Sequence, residues 1–165
     1  MNLHRTPALR TVWTLPCSHT ITGAPAAPRS VHAPPPLVMS ALDRERLIEL
    51  AHTREPRGTH WTAVLSLLNR AIAVPPHRVP EDLVTMNSIA WVQDVASGAS
   101  EAAELVYPDV ADERPLGRSI TAPLGAALFC ARIGGRVVWQ AATRRREAVI
   151  IALQYQPERE HHYHL

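Results

Sequence analysis

The chain has 165 residues, 46% of them hydrophobic, and 17 Lys+Arg against 15 Asp+Glu leave a net charge of only +2. This fits one modest globular domain with an appendage and excludes both a charge-heavy disordered protein and an argument for a phosphate-backbone partner from bulk charge. Cys17 and Cys130 form no metal-binding spacing, and no apolar run approaches the roughly 20 residues that cross a bilayer, so a soluble protein of a reducing cytoplasm is expected.

Residues 1–38 carry no acidic residue and are rich in Pro, including Pro34, Pro35 and Pro36. Such a composition builds no core. It lacks the amphipathic spacing of a transit peptide and the apolar stretch of a secretory signal. The expectation is a flexible extension, or translated upstream sequence ahead of a working start at Met39.

Order is expected to begin at "MSALDRERLIELAH". Ser40 is placed to cap a helix starting near Ala41, with Asp43 in its first turn facing the positive end of the dipole. Leu47, Leu50 and Ala51 share one face at i, i+3, i+4. Pro56 must stop this helix and Gly58 helps turn the chain. A second helix follows with Thr59 as cap and Trp61, Val64, Leu65, Leu68 and Ile72 as its apolar stripe, ended by Pro75 and Pro76. Two such stripes must bury each other, which predicts a short antiparallel helical hairpin over residues 39–76 with a reach of about 20 Å.

After "PPHRVPEDL" the apolar period changes from 3.6 to 2. Strands are expected over 84–95, 101–107, 136–142 and 147–155, with a shorter one over 119–121 and with "SGAS" and "TRRR" as the turns. Asn87 and Ser88 should turn the chain through side-chain to backbone hydrogen bonds. Between the strands, Pro123 suits the first position of a helix whose face is Leu124, Ala127, Leu128 and Ala131, stopped by Gly134-Gly135. Residues 80–158 thus read as an α+β domain, a mostly antiparallel sheet carrying one helix, and residues 159–165 as a flexible tail.

The phrases "EDLVTMNSIAWVQD", "ELVYPDVAD", "SITAPLGAALFCARIGGRVVWQ" and "ALQYQPE", in that order, carry a family resemblance. They resemble the C-terminal domain of the Gre transcript-cleavage factors, and more closely the short-hairpin relatives known as regulators of nucleoside diphosphate kinase. The resemblance covers about residues 40–158. It implies an FKBP-like sheet domain behind the helical hairpin and binding to bacterial RNA polymerase at the entrance of its secondary channel. DNA binding is implied only at family level, with no direct sequence-specific nucleic-acid contact and no membrane partner, and a monomer is expected. The chain departs from the Gre pattern at Ala122-Pro123, where those factors usually show Ser-Pro, and at Gly134-Gly135-Arg136, where they usually show Gly-Asp.

A cleavage factor must bring paired carboxylates on a long hairpin to the polymerase active site, where they help hold a metal that activates water. Here the loop is "HTREPRGTH", with the single acid Glu55 flanked by Arg54 and Arg57. A binder without cleavage activity is therefore expected, with no catalytic residue, no metal and no cofactor. The expected polymerase contacts are Arg54, Glu55 and Arg57 in the hairpin loop, Asp109, Asp112 and Arg114 in the loop after "LVYP", and Gly134, Gly135 and Arg136.

Two alternatives rest on other residues. A peptidyl-prolyl isomerase would need Trp91, Phe129 and Trp139 to line a pocket, but their positions read as core faces, and fold alone does not give function. A general protein-binding module would use the Pro-rich extension as its ligand. Arg144, Arg145 and Arg146 read as a solvated turn, Cys130 as buried and inert, and the histidines of "HHYHL" as a terminus without a second shell for a metal.

Overall fold

The structure, a computed structural model, describes residues 36–54 and 59–164. The expectations placed on residues 1–35, on Cys17 and on the loop residues Glu55 and Arg57 lie outside the described residues.

Val38–Ser40 forms a short strand, β1, that runs into α1 (Ala41–Arg54); α2 (Thr59–Arg70) follows and leads into β2 (Ile72–Val74). The guanidinium of Arg44, near the start of α1, donates to the Leu68 carbonyl near the end of α2 at 3.2 Å, so the helices run antiparallel. β1 and β2 pair in parallel, Val38 opposite Ile72, and the Ile72 amide donates to the Leu37 carbonyl at 2.9 Å. Leu37 and Val38 thus take part in the fold, just ahead of the expected boundary at Met39. Met39 and Leu47 from the first arm and Trp61, Val64 and Leu68 from the second are buried in one cluster with the sheet domain.

Three details of the hairpin differ from expectation. Ser40 is the last residue of β1, and its hydroxyl is buried without a hydrogen-bond partner, so it does not cap α1. Ile72 is not on the helical stripe: the chain bends at Ala71, the backbone of Ile72 joins β1, and its side chain is 56% exposed. Pro75 and Pro76 begin a single 3-10 turn, Pro76–Arg78, instead of ending a helix.

The second half is a five-stranded sheet of β3 (Ile89–Asp94), β4 (Ser100–Val106), β5 (Gly117–Ser119), β6 (Arg136–Ala141) and β7 (Arg144–Tyr155) in the order β5-β4-β3-β7-β6. Every pairing is antiparallel except β4 with β5. Two register shifts between β3 and β7 bend the ladder. A short helix, α3 (Pro123–Leu128), starts at its proline as expected and buries Leu124 and Leu128.

The expected strand over 84–95 begins only at Ile89. Val84 and Met86 are buried as strand residues would be, but Val84 pairs with the segment after α3, its amide donating to the Ala131 carbonyl at 2.8 Å, and Met86 sits in a turn: Asn87 has φ 60°, and the Ser88 amide donates to the Thr85 carbonyl at 3.2 Å. The side chain of Ser88 accepts from the Thr85 amide, the local bond expected of it. At the other end, β7 begins at Arg144, so the three arginines belong to the ladder and the turn is Ala142-Thr143, with Ala142 at φ 51°. The third helix also stops early. The chain turns at Cys130, φ 60°, before Gly134, whose own φ of 80° serves the approach to β6. Cys130 is buried, and burial pushes its thiol well above the ordinary range, as its inert reading requires. Phe129 and Trp139 are core residues, whereas Trp91 is 38% exposed and donates from its indole to Gln154 at 3.0 Å.

Candidate functional site

Arg46, Glu49, Leu50 and Thr53 follow one another at i, i+3, i+4 and i+7, so α1 presents them as a single stripe. This stripe forms one wall of a 740 Å³ cleft whose other wall belongs to the sheet domain. Asn87 and Ile89 enter from the start of β3, Glu104 and Tyr107 from the end of β4, Asp109, Val110 and Arg114 from the following loop, and Tyr155 from the end of β7. Leu50, Ile89, Val110 and the two tyrosine rings give it apolar surface; the acids and the two arginines give it both signs of charge.

The charges are held in place. Arg114 donates to Glu104 at 3.0 Å, and Glu104 is buried on the strand while Arg114 stays half in solvent. Burial first, then the charge of Asp43, pushes the Tyr107 hydroxyl far above its ordinary range, so it stays a neutral phenol. Mixed charge around apolar surface suits recognition of a protein surface better than of a nucleic-acid backbone, which would ask for cations alone.

A second polar group, which the amino-acid pattern did not reveal, centres on a small cavity that shares Arg46 with the cleft. Asp43, expected at the exposed first turn of α1, is buried, and its Oδ2 accepts the Met86 amide at 3.0 Å. Burial, and next the neighbouring Glu158, push its carboxyl up to about 7, against the opposing pull of the Met86 amide and Arg46. Glu158 is also buried and accepts from the Thr85 hydroxyl at 2.6 Å, which in turn is 2.9 Å from the Ser88 hydroxyl. Among the described residues there is no group of three or more His, Cys, Asp or Glu that could hold a metal ion.

Residues 79–155 match the family described as transcription elongation factor, GreA/GreB, C-terminal. A regulator of nucleoside diphosphate kinase from Escherichia coli K12 is 32% identical over 129 residues, which cover 75% of this chain and 93% of the relative. A protein of the same name from Shigella flexneri matches with the same figures. The solved structure of a prokaryotic transcription elongation factor GreA/GreB from Nitrosomonas europaea superposes with a TM-score of 0.63 at 30% identity, covering 74% of this chain and all of the other. The chain belongs to the GreA/GreB family.

Within this Gre-type frame the expected contact residues are scattered. Asp109 and Arg114 line the cleft opposite α1. Asp112 lies in the exposed 3-10 turn Ala111–Glu113 outside the cleft lining. Gly134, Gly135 and Arg136 sit at β6, at the opposite sheet edge from the β5 side, where Arg136 pairs with Glu147 at 2.6 Å. Arg54 is the last residue of α1. The cleft residues that sequence reasoning missed include Arg46, Glu49, Glu104, Tyr107 and Tyr155. The signal for the first two was the mixed polar stripe beside the apolar one on α1. The tyrosines had no signal beyond their position at strand ends.

No described helix is long and apolar enough to cross a membrane.

Proposed function

We propose that this chain is a cytoplasmic transcription regulator that binds RNA polymerase near the secondary channel, as a monomer, and does not stimulate transcript cleavage. The observation that carries this reading is the short arm on a Gre-type sheet domain. Helices of 14 and 12 residues extend only about 20 Å at ~1.5 Å per residue. The sheet domain, which we take to be FKBP-like in its wrap of strands around α3, supplies the docking surface. An arm of this length occupies the channel rim and competes with longer Gre factors without delivering a metal-binding acid pair to the active site. The cleft between α1 and the loop bearing Asp109 and Arg114 is its best contact surface, since it joins apolar area to fixed charges of both signs. Arg54, Glu55, Arg57, Asp112 and the Gly134–Arg136 turn remain secondary contacts in this proposal.

The test is capture of core RNA polymerase by the full chain, followed by a cleavage assay on stalled elongation complexes. The expected result is polymerase retention at micromolar protein, no shortened transcript with the chain alone, and reduced cleavage when it is added to a GreA or GreB factor. No retention overturns the binding reading; transcript shortening by the chain alone overturns the claim that it lacks cleavage activity.

A further inference from the structure

We propose that Asp43, buried beside Glu158, is a proton-operated latch that fastens the helical hairpin to the sheet domain and loosens when its carboxyl ionises. The two acids come from opposite sides of the seam. Asp43 stands in the first turn of α1, and Glu158 follows β7. They grip consecutive residues of one turn, Asp43 the Met86 amide and Glu158 the Thr85 hydroxyl. Both are nearly closed to solvent, 4% and 8% exposed, and both line one small cavity with Ser40, whose 1%-exposed hydroxyl has no partner.

The groups around the Asp43 carboxyl act on its charge in both directions. Arg46 on α1 lies on the same cavity and favours the ionised form of Asp43. Tyr107 at the end of β4 and Cys130 after α3 both feel the charge of Asp43, and both remain neutral because burial holds their protons. From the C-terminal segment, His162 and Tyr163 line the cavity beside Glu158, with the His162 Nδ1 2.9 Å from the Tyr155 hydroxyl. A carboxyl confined in a dry seam next to another acid holds its proton, because burial and then like charge both penalise its ionised form. Burial first and then Glu158 push the Asp43 carboxyl up to about 7.

The sign follows from linkage. Asp43 holds its proton more tightly in the closed seam than in the opened hairpin, where it returns to the ordinary carboxylate value near 3.8. The closing contribution is therefore complete below that value, falls as pH rises, and is fully lost above about 7. Acidification tightens the hairpin; mild alkalinity frees it to change its angle on the sheet domain. This inference concerns the chain's own fold and does not rest on polymerase binding.

Two measurements on the full chain decide it. The carboxyl carbon of Asp43, followed by NMR, is expected to titrate near neutrality, and Glu158→Gln should move that midpoint down towards the usual carboxylate range. Amide protection of α1, corrected for intrinsic exchange, should fall by up to about tenfold per pH unit between roughly pH 5 and 7 and then level off. Asp43→Asn, which keeps an oxygen for Met86, should make that profile flat. A wild-type Asp43 midpoint near 4 overturns the proposal even if neither variant folds, and so does an unchanged protection profile in Asp43→Asn.

Discussion

Arg146 lies over the ring of Trp139, with its guanidinium carbon 5.6 Å from the ring centroid, and reaches Asp94 Oδ2 with its Nη2 at 2.7 Å. One side chain on β7 thus ties the tip of β3 to the aromatic of β6. Asp94 is further organised by its own turn, since its Oδ1 accepts from the amides of Ala96 and Ser97 and from the Ser97 hydroxyl. The Arg146 bond first, then the Ser97 bonds, hold the Asp94 carboxyl down at about 2. Arg146→Met is expected to raise the Asp94 midpoint, read by NMR. The sign is that of a depressed carboxylate: its contribution is present above about 3.8 and lost as pH falls through about 2, so the variant should unfold at higher pH in an acid titration.

The same residues show what a pattern can and cannot reveal. Three adjacent arginines look like a turn because charge and solvent go together. Their backbones nevertheless continue the ladder opposite Ala141, Gln140 and Trp139, since Arg146 finds an aromatic face and an acid across the sheet. The change of period near residue 80, the order of the later elements and the proline start of α3 were legible, because burial and backbone geometry enforce them locally. The start of β3 was not, because Val84 and Met86 are buried by tertiary packing around a left-handed Asn87. Asp43 was hidden for the same reason: only the approach of Met86 and Glu158 from distant parts of the chain makes it a buried acid.

Gly125 is the tightest point of α3. A Cβ there would press on the Ser119 carbonyl oxygen and lie 2.6 Å from its carbon, both backbone atoms that cannot turn away. Alanine in a helix ordinarily gains about 0.5–1 kcal/mol over glycine. Overpacking costs about 1–3 kcal/mol, and here α3 would have to separate from β5. The clash wins, so Gly125→Ala should lower stability by about 1–2 kcal/mol in urea unfolding. An equal or increased midpoint would show that the approach of α3 to Ser119 is looser than the geometry gives.

Gln156 is fully buried just beyond β7, and its amide nitrogen donates to the carbonyls of Pro80 at 2.9 Å and Leu83 at 2.8 Å. It fastens the end of the sheet to the connection from the hairpin. Gln156→Leu keeps the volume but strands the buried Leu83 carbonyl, at about 1–3 kcal/mol where no water reaches, whereas the Pro80 carbonyl keeps the Leu83 amide. The expected loss is about 1–3 kcal/mol by chemical denaturation. Gln156→Glu should be at least as harmful, because a carboxylate cannot donate to either oxygen. A loss below about 0.5 kcal/mol in the leucine variant would show that the two bonds contribute little to stability.

Ile72 and Leu68 lie four residues apart and look equivalent on a helical stripe, yet the fold treats them differently. Leu68 is 3% exposed in the common core, whereas Ile72 is 56% exposed on β2, beyond the bend at Ala71. Truncating a buried leucine removes its transfer energy and leaves a cavity, so Leu68→Ala should cost about 2–5 kcal/mol. Ile72→Thr keeps the β-branch that suits the strand and removes little buried surface, so its effect should stay within about 0.5 kcal/mol. Parallel thermal or urea unfolding of the two variants separates a helix that ends at Arg70 from one that continues to Pro75. Comparable losses from both would place Ile72 in the core and remove the β1–β2 pair from the base of the hairpin.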